Sequence, residues 1–294
     1  VLKLQRVGTE PVLVPRPDVP WEKDAVFNCA AIHHDGRFRL HYRAVAHTPG
    51  DRNRSWIGYA CSEDGVDFER LDQPVLSPGE VPEESQGVED PRVTRLGDAF
   101  YMLYTAYDRT RTQIGMARSD DLRAWTRLGV AQGLDAFGNN KDAALFPETI
   151  GGRYCMFHRP HPTMHVSFSD DLRHWDDHRL VMEPAFAWEA SKIGGGAQPI
   201  RTDAGWLEVY HGVDENSVYR LGIVLLDLED PSKVVKRQPE PILEPELPWE
   251  LEGDVPNVVF SCGAVLLGTE LWVYYGGADT VIGVAKGDVR EFLD

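Results

Sequence analysis

Apolar and polar residues alternate along this chain in short runs, the two-residue period of strands. A helical period is never sustained over about a dozen residues, so the pattern predicts an all-β fold. The runs also repeat. Apolar-glycine strands are expected at Ile57-Gly58-Tyr59-Ala60, Ile114-Gly115-Met116-Ala117, Leu221-Gly222-Ile223-Val224 and Ile282-Gly283-Val284-Ala285. Met164-His165-Val166-Ser167 fills the third slot, with His in place of Gly, and the spacings are 57, 50, 57 and 61 residues. An aromatic-rich strand precedes each, at 38–43, 100–104, 154–159, 206–211 and 271–275. A further strand opens near Asn28, Asp90, Asp142, Gln198 and Asn257.

Turns of one design follow the first three copies: Ser62-Glu63-Asp64, Ser119-Asp120-Asp121 and Ser169-Asp170-Asp171, with Phe68, Trp125 and Trp175 six residues past each Ser. Ser and Asp side chains bond nearby backbone and so initiate turns. Five such units read as a five-bladed β-propeller, one domain over 1–294. A second repeat, Pro11-Val12-Leu13-Val14-Pro15, recurs as Pro74-Val75-Leu76-Ser77-Pro78 and Pro241-Ile242-Leu243-Glu244-Pro245. One copy precedes the first unit and none follows the last, so the N-terminal segment is expected to close the ring and cover an open strand edge.

Composition narrows the class. The 294 residues include 47 acidic and 30 basic ones, a net charge of −17, which argues against nucleic-acid and anionic-membrane partners. Hydrophobic residues at 42% can fill a core, and 27 Gly with 20 Pro suit a turn-rich β protein. Cys29, Cys61, Cys155 and Cys262 form no metal-binding spacing and are expected to be reduced. No apolar run is long enough to span a membrane, and Val1 to Arg6 carry no apolar leader core. The expected compartment is cytoplasmic, and homo-oligomer formation is left open.

Polar residues at the inner strand ends of such a ring converge on its axis. Asn28 to Arg43 and Asp90 to Thr105 are both offsets of 15, Asp142 to Arg159 is 17 and Gln198 to His211 is 13. Arg43 alone reads as an ordinary ion-pair partner, and a salt-bridged turn is the lesser alternative for Glu89-Asp90-Pro91-Arg92. Arg43, Lys141, Arg159 and His211 taken together suit one small anion such as phosphate. Asp90 beside them is the candidate acid. Inverting hydrolysis of a glycosidic bond requires a second carboxylate to activate water, whereas phosphate needs only to be held and oriented. One acid and several cations therefore lean toward phosphorolysis.

These residues carry a resemblance. Gly87-Val88-Glu89-Asp90-Pro91-Arg92, Lys141-Asp142-Ala143-Ala144, His158-Arg159-Pro160, Lys192-Ile193-Gly194-Gly195-Gly196, Tyr210-His211-Gly212, Gly253-Asp254-Val255-Pro256-Asn257 and Gly276-Gly277-Ala278-Asp279 resemble, in order, the mannoside phosphorylases of glycoside hydrolase family 130. The resemblance implies a five-bladed propeller that converts a β-mannoside and phosphate to α-mannose 1-phosphate with inversion. It implies Asp90 as the acid, its proton passing through the sugar 3-hydroxyl, and Lys141, Arg159 and His211 as phosphate ligands. Asn28, Arg43, Arg92, Asp142 and Asp279 would face the substrate. No metal or cofactor is expected beyond phosphate as co-substrate. Some members carry Arg-Asn where this chain has Lys141-Asp142, and a carboxylate beside phosphate is awkward unless it turns away. The alternatives are an inverting β-mannosidase with Asp279 or Glu148 as base, and a non-catalytic glycan-binding propeller.

Overall fold

A computed structural model describes residues 1–48 and 51–294. β1 (Gln5–Arg6) stands apart from the first group: β2 (Ala25–His34), β3 (Arg37–Thr48), β4 (Asp51–Ser62) and β5 (Glu69–Arg70). The second group is β6 (Gly87–Leu96), β7 (Ala99–Tyr107), β8 (Thr112–Ser119) and β9 (Thr126–Val130). The third is β10 (Asn140–Leu145), β11 (Tyr154–Pro160), β12 (Met164–Ser169) and β13 (Asp176–Met182). The fourth is β14 (Lys192–Gly195), β15 (Ile200–Thr202), β16 (Gly205–Val213), β17 (Tyr219–Leu226) and β18 (Val234–Arg237). The fifth is β19 (Val259–Leu267), β20 (Glu270–Gly277) and β21 (Val281–Asp288). Among the described residues, helix is confined to single turns, Pro248–Leu251 and Arg290–Leu293 among them. The fold is all-β.

Each group is an antiparallel meander, and a single parallel pairing of Ser55 with Gly87 joins the first two into one eight-stranded sheet. Among the described residues no sheet closes on itself. β1 pairs with β21, so the N-terminus supplies the fourth strand of the last group. The Leu of each Pro-x-Leu-x-Pro copy then bridges the apolar-glycine strand: Leu76 to Ile57, Leu243 to Leu221, and Leu13 to Ile282. The N-terminal copy thus serves the fifth group, as the sequence repeat predicts.

Side chains on successive strand residues point to opposite sheet faces, and here both faces are buried. On β7, Met102 and Tyr104 pack with the first group while Leu103 packs with the third. Apolar layers join groups one to two, two to three, three to four, four to five and five back to one. The three predicted turns are built alike. Ser62, Ser119 and Ser169 accept from the amides of Gly65, Leu122 and Leu172, and the Asp two residues after each Ser accepts from two further amides.

The repeated glycine also has a physical cause. Tyr42 lies opposite Gly58 and Tyr104 opposite Gly115, and a Cβ on either glycine would stand 2.3 Å from the tyrosine ring. Each tyrosine hydroxyl donates to a buried Glu that also binds an Arg: Tyr42–Glu22–Arg70, Tyr104–Glu84–Arg127, Tyr210–Glu189–Arg237 and Tyr275–Glu250–Arg6. The third group departs from this design. His158 faces His165 there, its ring nitrogens 2.9 Å from Asn140 Nδ2 and 2.7 Å from Ser167 Oγ, and Ser167 Oγ lies 2.7 Å from His178 Nδ1. Phe137 packs against all three histidines.

Candidate active site

The first strands of the first three groups, β2, β6 and β10, each carry a register shift where the sequence places Asn28, Asp90 and Asp142. These residues have φ of 47°, 50° and 56°, in the left-handed region that Asn and Asp tolerate better than most. A bulge re-aims a side chain out of the ladder. All three line one pocket, together with Arg43, Lys141, Arg159, His211 and Asp279. Eight of the nine expected site residues therefore meet.

Arg92 is the exception. It is 1% exposed, and its guanidinium donates to the carbonyls of Asp90 at 3.0 Å, Gly195 at 2.8 Å and Gly196 at 2.7 Å. It holds the backbone of β6 and β14 together and is not among the residues that line the pocket, where a substrate contact was expected. Gln198 and Asn257 also fall outside the pocket lining, Gln198 because its amide donates to the carbonyls of Ala31 and Ala264. Glu148, offered as a base, is half exposed and paired with Arg201, away from the pocket. Tyr42, Tyr104, Tyr210, Tyr274 and Tyr275 lie in the apolar layers, and the aromatic residues that line the pocket are Tyr219 and Phe260.

Asp90 is 4% exposed and accepts from Asn28 Nδ2 at 2.9 Å and Arg43 Nη1 at 3.3 Å. Burial pushes its pKa up, but Arg43, Lys141, the Asn28 bond and Arg92 outweigh burial and hold it below the usual carboxylate value. Arg43 also donates to Glu89 at 2.9 Å. Asp279 behaves oppositely. Burial first, then repulsion from Asp90 and Asp254, raises it to about 7 against the pull of Arg43 and Lys141.

The anion side of the pocket is built on β10, β11, β14 and β16. Lys141 pairs with Arg159 across β10 and β11, and Gly194 with His211 across β14 and β16. A Cβ on Gly194 would lie 2.5 Å from the His211 ring and 2.6 Å from Asp142, so only glycine admits this approach. Arg159 Nε donates to Asp142 Oδ2 at 2.8 Å. His211 is stacked on Tyr219 and tilted against Phe260, and burial lowers its pKa to about 3 although Asp142 pulls the other way. It enters the site as a neutral ring, not as the cation the sequence suggested. Lys192 supplies the missing cation: it lines the pocket with Nζ 5.1 Å from the Tyr219 ring, and burial, then Arg159 and Lys141, lower it to about 8. Its position immediately before the run Ile193-Gly194-Gly195-Gly196 was the available signal.

The pocket sets buried carboxylates beside convergent cations, an arrangement suited to acid chemistry next to an anion. The profile of the family described as beta-1,4-mannooligosaccharide phosphorylase matches residues 6–294. A 1,2-beta-oligomannan phosphorylase of Thermoanaerobacter sp. (strain X514) is 51% identical over 298 residues, covering 99% of each chain. A solved β-1,2-mannobiose phosphorylase from Listeria innocua, in complex with β-1,2-mannobiose, superposes with TM-score 0.86 at 28% identity, over 99% of this chain and 98% of that one. A further neighbour, described among family 130 hydrolases that target β-1,2 mannosidic linkages in Candida mannan, has TM-score 0.87 at 28% identity, over 96% and 93%. The chain belongs to glycoside hydrolase family 130.

Proposed function

We propose that this chain is an inverting phosphorylase of β-1,2-linked mannosides, releasing α-mannose 1-phosphate. The observation that carries the reading is the convergence of Lys141, Arg159, Lys192 and neutral His211 on the pocket that holds Asp90. The linkage follows the relatives at 51% identity. A phosphate oxygen bonds to the mannose anomeric carbon from the face opposite the leaving oxygen, the glycosidic bond breaks, and the Asp90 proton reaches the departing oxygen through the 3-hydroxyl. Phosphate is the only co-substrate this scheme requires. We assign the five strand groups to the blades of one propeller domain, 1–294, closed by β1; the cyclic order of the apolar layers supports that arrangement. Cytoplasmic location belongs to the same proposal.

An acid must hold its proton, yet the field of Arg43 and Lys141 keeps Asp90 ionised when no anion offsets it. A phosphate dianion bound to Lys141 and its neighbours cancels part of that field and raises Asp90. Phosphate thus arms the acid as well as attacking. The pH dependence of kcat should therefore fall as pH rises through an Asp90 value higher than that of the free enzyme. Asp279 lines the same pocket and its pKa near 7 would suit a base toward water, which supports hydrolysis as the second reading.

Incubating β-1,2-mannobiose and longer β-1,2-mannosides with and without phosphate separates the two. Phosphate-dependent release of mannose 1-phosphate is expected, with Asp90→Asn slowing it by at least about 100-fold while sugar binding persists. Equal release without phosphate would overturn the phosphorylase reading.

A further inference from the structure

The anion side of the pocket is lined by a buried carboxylate. Asp142 is 2% exposed, and its Oδ2 accepts from Arg159 and lies 3.8 Å from His211 Nε2. Oδ1 stands 3.6 Å from Arg92 and makes no hydrogen bond. Arg92 does not complete it: Nε, Nη1 and Nη2 each donate to a backbone carbonyl, and Nη2 stays 3.6 Å from Oδ1, beyond hydrogen-bond distance. Burial raises the Asp142 pKa, but Arg159, His211, Arg92 and Lys141 outweigh burial and keep it far below the carboxylate range. The group is an ionised acceptor with capacity to spare.

Lys141, Arg159 and Lys192 line the same pocket as Asp142, and Arg159 Nε donates directly to its Oδ2, so a tetrahedral anion held by these cations would set an oxygen beside that carboxylate. A bare oxygen there would set charge against charge, whereas a protonated oxygen would donate a charge-assisted hydrogen bond. We propose that Asp142 makes this site selective for a tetrahedral oxyanion that carries a proton, hydrogen phosphate over sulfate, by accepting the anion's O–H. The inference rests on the pocket being the phosphate site and names the residue that decides which anion enters it. With the proton directed to Asp142, the remaining phosphate oxygens face the cations and the sugar. An amide at this position would offer an N–H and no charge, and would lose the discrimination.

Titration calorimetry of the whole protein with inorganic phosphate and with sulfate, at pH 7.5 and constant ionic strength, tests the proposal. Sulfate should bind at least about 30-fold more weakly than phosphate, the effect of one hydrogen bond to a charged group. Asp142→Asn should bring the two within about threefold, mostly by gaining sulfate affinity. Wild-type protein that binds the two anions equally, or a folded variant that keeps the wild-type ratio, overturns the role of Asp142. Should the variant fail to fold, the wild-type ratio still decides. Wild-type protein that binds neither anion instead overturns the phosphorylase reading beneath it.

Discussion

Asp90 and Asp279 share one pocket and the field of Arg43, yet they hold their protons in opposite ways. The difference comes from the Asn28 hydrogen bond and the nearer cations at Asp90, against the acidic neighbours Asp90 and Asp254 at Asp279. Lys192 carries a comparable consequence. With its pKa lowered to about 8, its charge is present below that pH and lost above it, so the KM for phosphate should rise as pH passes through about 8. Lys192→Met should raise that KM at least about tenfold at pH 7, the worth of one charged contact, and flatten the pH dependence. Steady-state kinetics with phosphate varied at saturating mannobiose would read both, and an unchanged KM would remove Lys192 from the site. Residue identity was legible for Asn28, Asp90 and Asp142, because the bulge selects Asn or Asp on conformational grounds. The role of Arg92 was not. It lies two residues past Asp90 on a strand whose bulge resets which face each side chain meets.

Among strands, the tyrosine-over-glycine pair is the repeated joint. Gly115→Ala would force the Tyr104 ring out of its place over β8, and overpacking of this kind costs about 1–3 kcal/mol. A urea midpoint equal to wild type would contradict that packing. The third group substitutes a histidine cluster for the Tyr–Glu–Arg joint, and its buried His158, with His211 and His41 in other groups, gives the molecule an acid limb. Burial lowers His158 and His211 to about 3 and His41 to about 4, so each binds its proton more weakly when folded than the ordinary 6.5. The unfolded chain therefore takes up protons first as pH falls below 6.5. Stability should decline from pH 6.5 downward, by up to about 1.4 kcal/mol per pH unit for each such histidine. Chemical denaturation at pH 7.5, 6 and 5 should show it, and His158→Phe, set against Phe137, should make the slope shallower. The sequence pattern marked the third group as irregular through His165 in the glycine slot. That His165 faces His158, and that His178 joins them through Ser167, depends on strand register.

The whole molecule depends on its first residues being in the last sheet. Leu2 and Leu4 are buried against the fourth and fifth groups, Leu13 bridges Ile282, and Arg6 binds Glu250. Deleting residues 1–14 should cost about 5 kcal/mol, from buried leucines alone at about 1.5–3 kcal/mol each, and leave the β21 edge open to association. Thermal unfolding with light scattering measures both; a monomeric truncation of unchanged stability would rule out this closure. The net charge of −17 includes acidic turn residues such as Asp120 and Asp170, which are exposed, while Arg43, Lys141, Arg159 and Lys192 line the pocket. Repeats, turns, the completing N-terminal strand and eight pocket residues could be read from the chain, because period, spacing and turn chemistry are local properties. Folding had to settle the backbone-holding role of Arg92, the neutrality of His211, the charge of Lys192 and the opposed protons of Asp90 and Asp279. Those depend on burial and on distances between groups tens of residues apart, which no local pattern encodes.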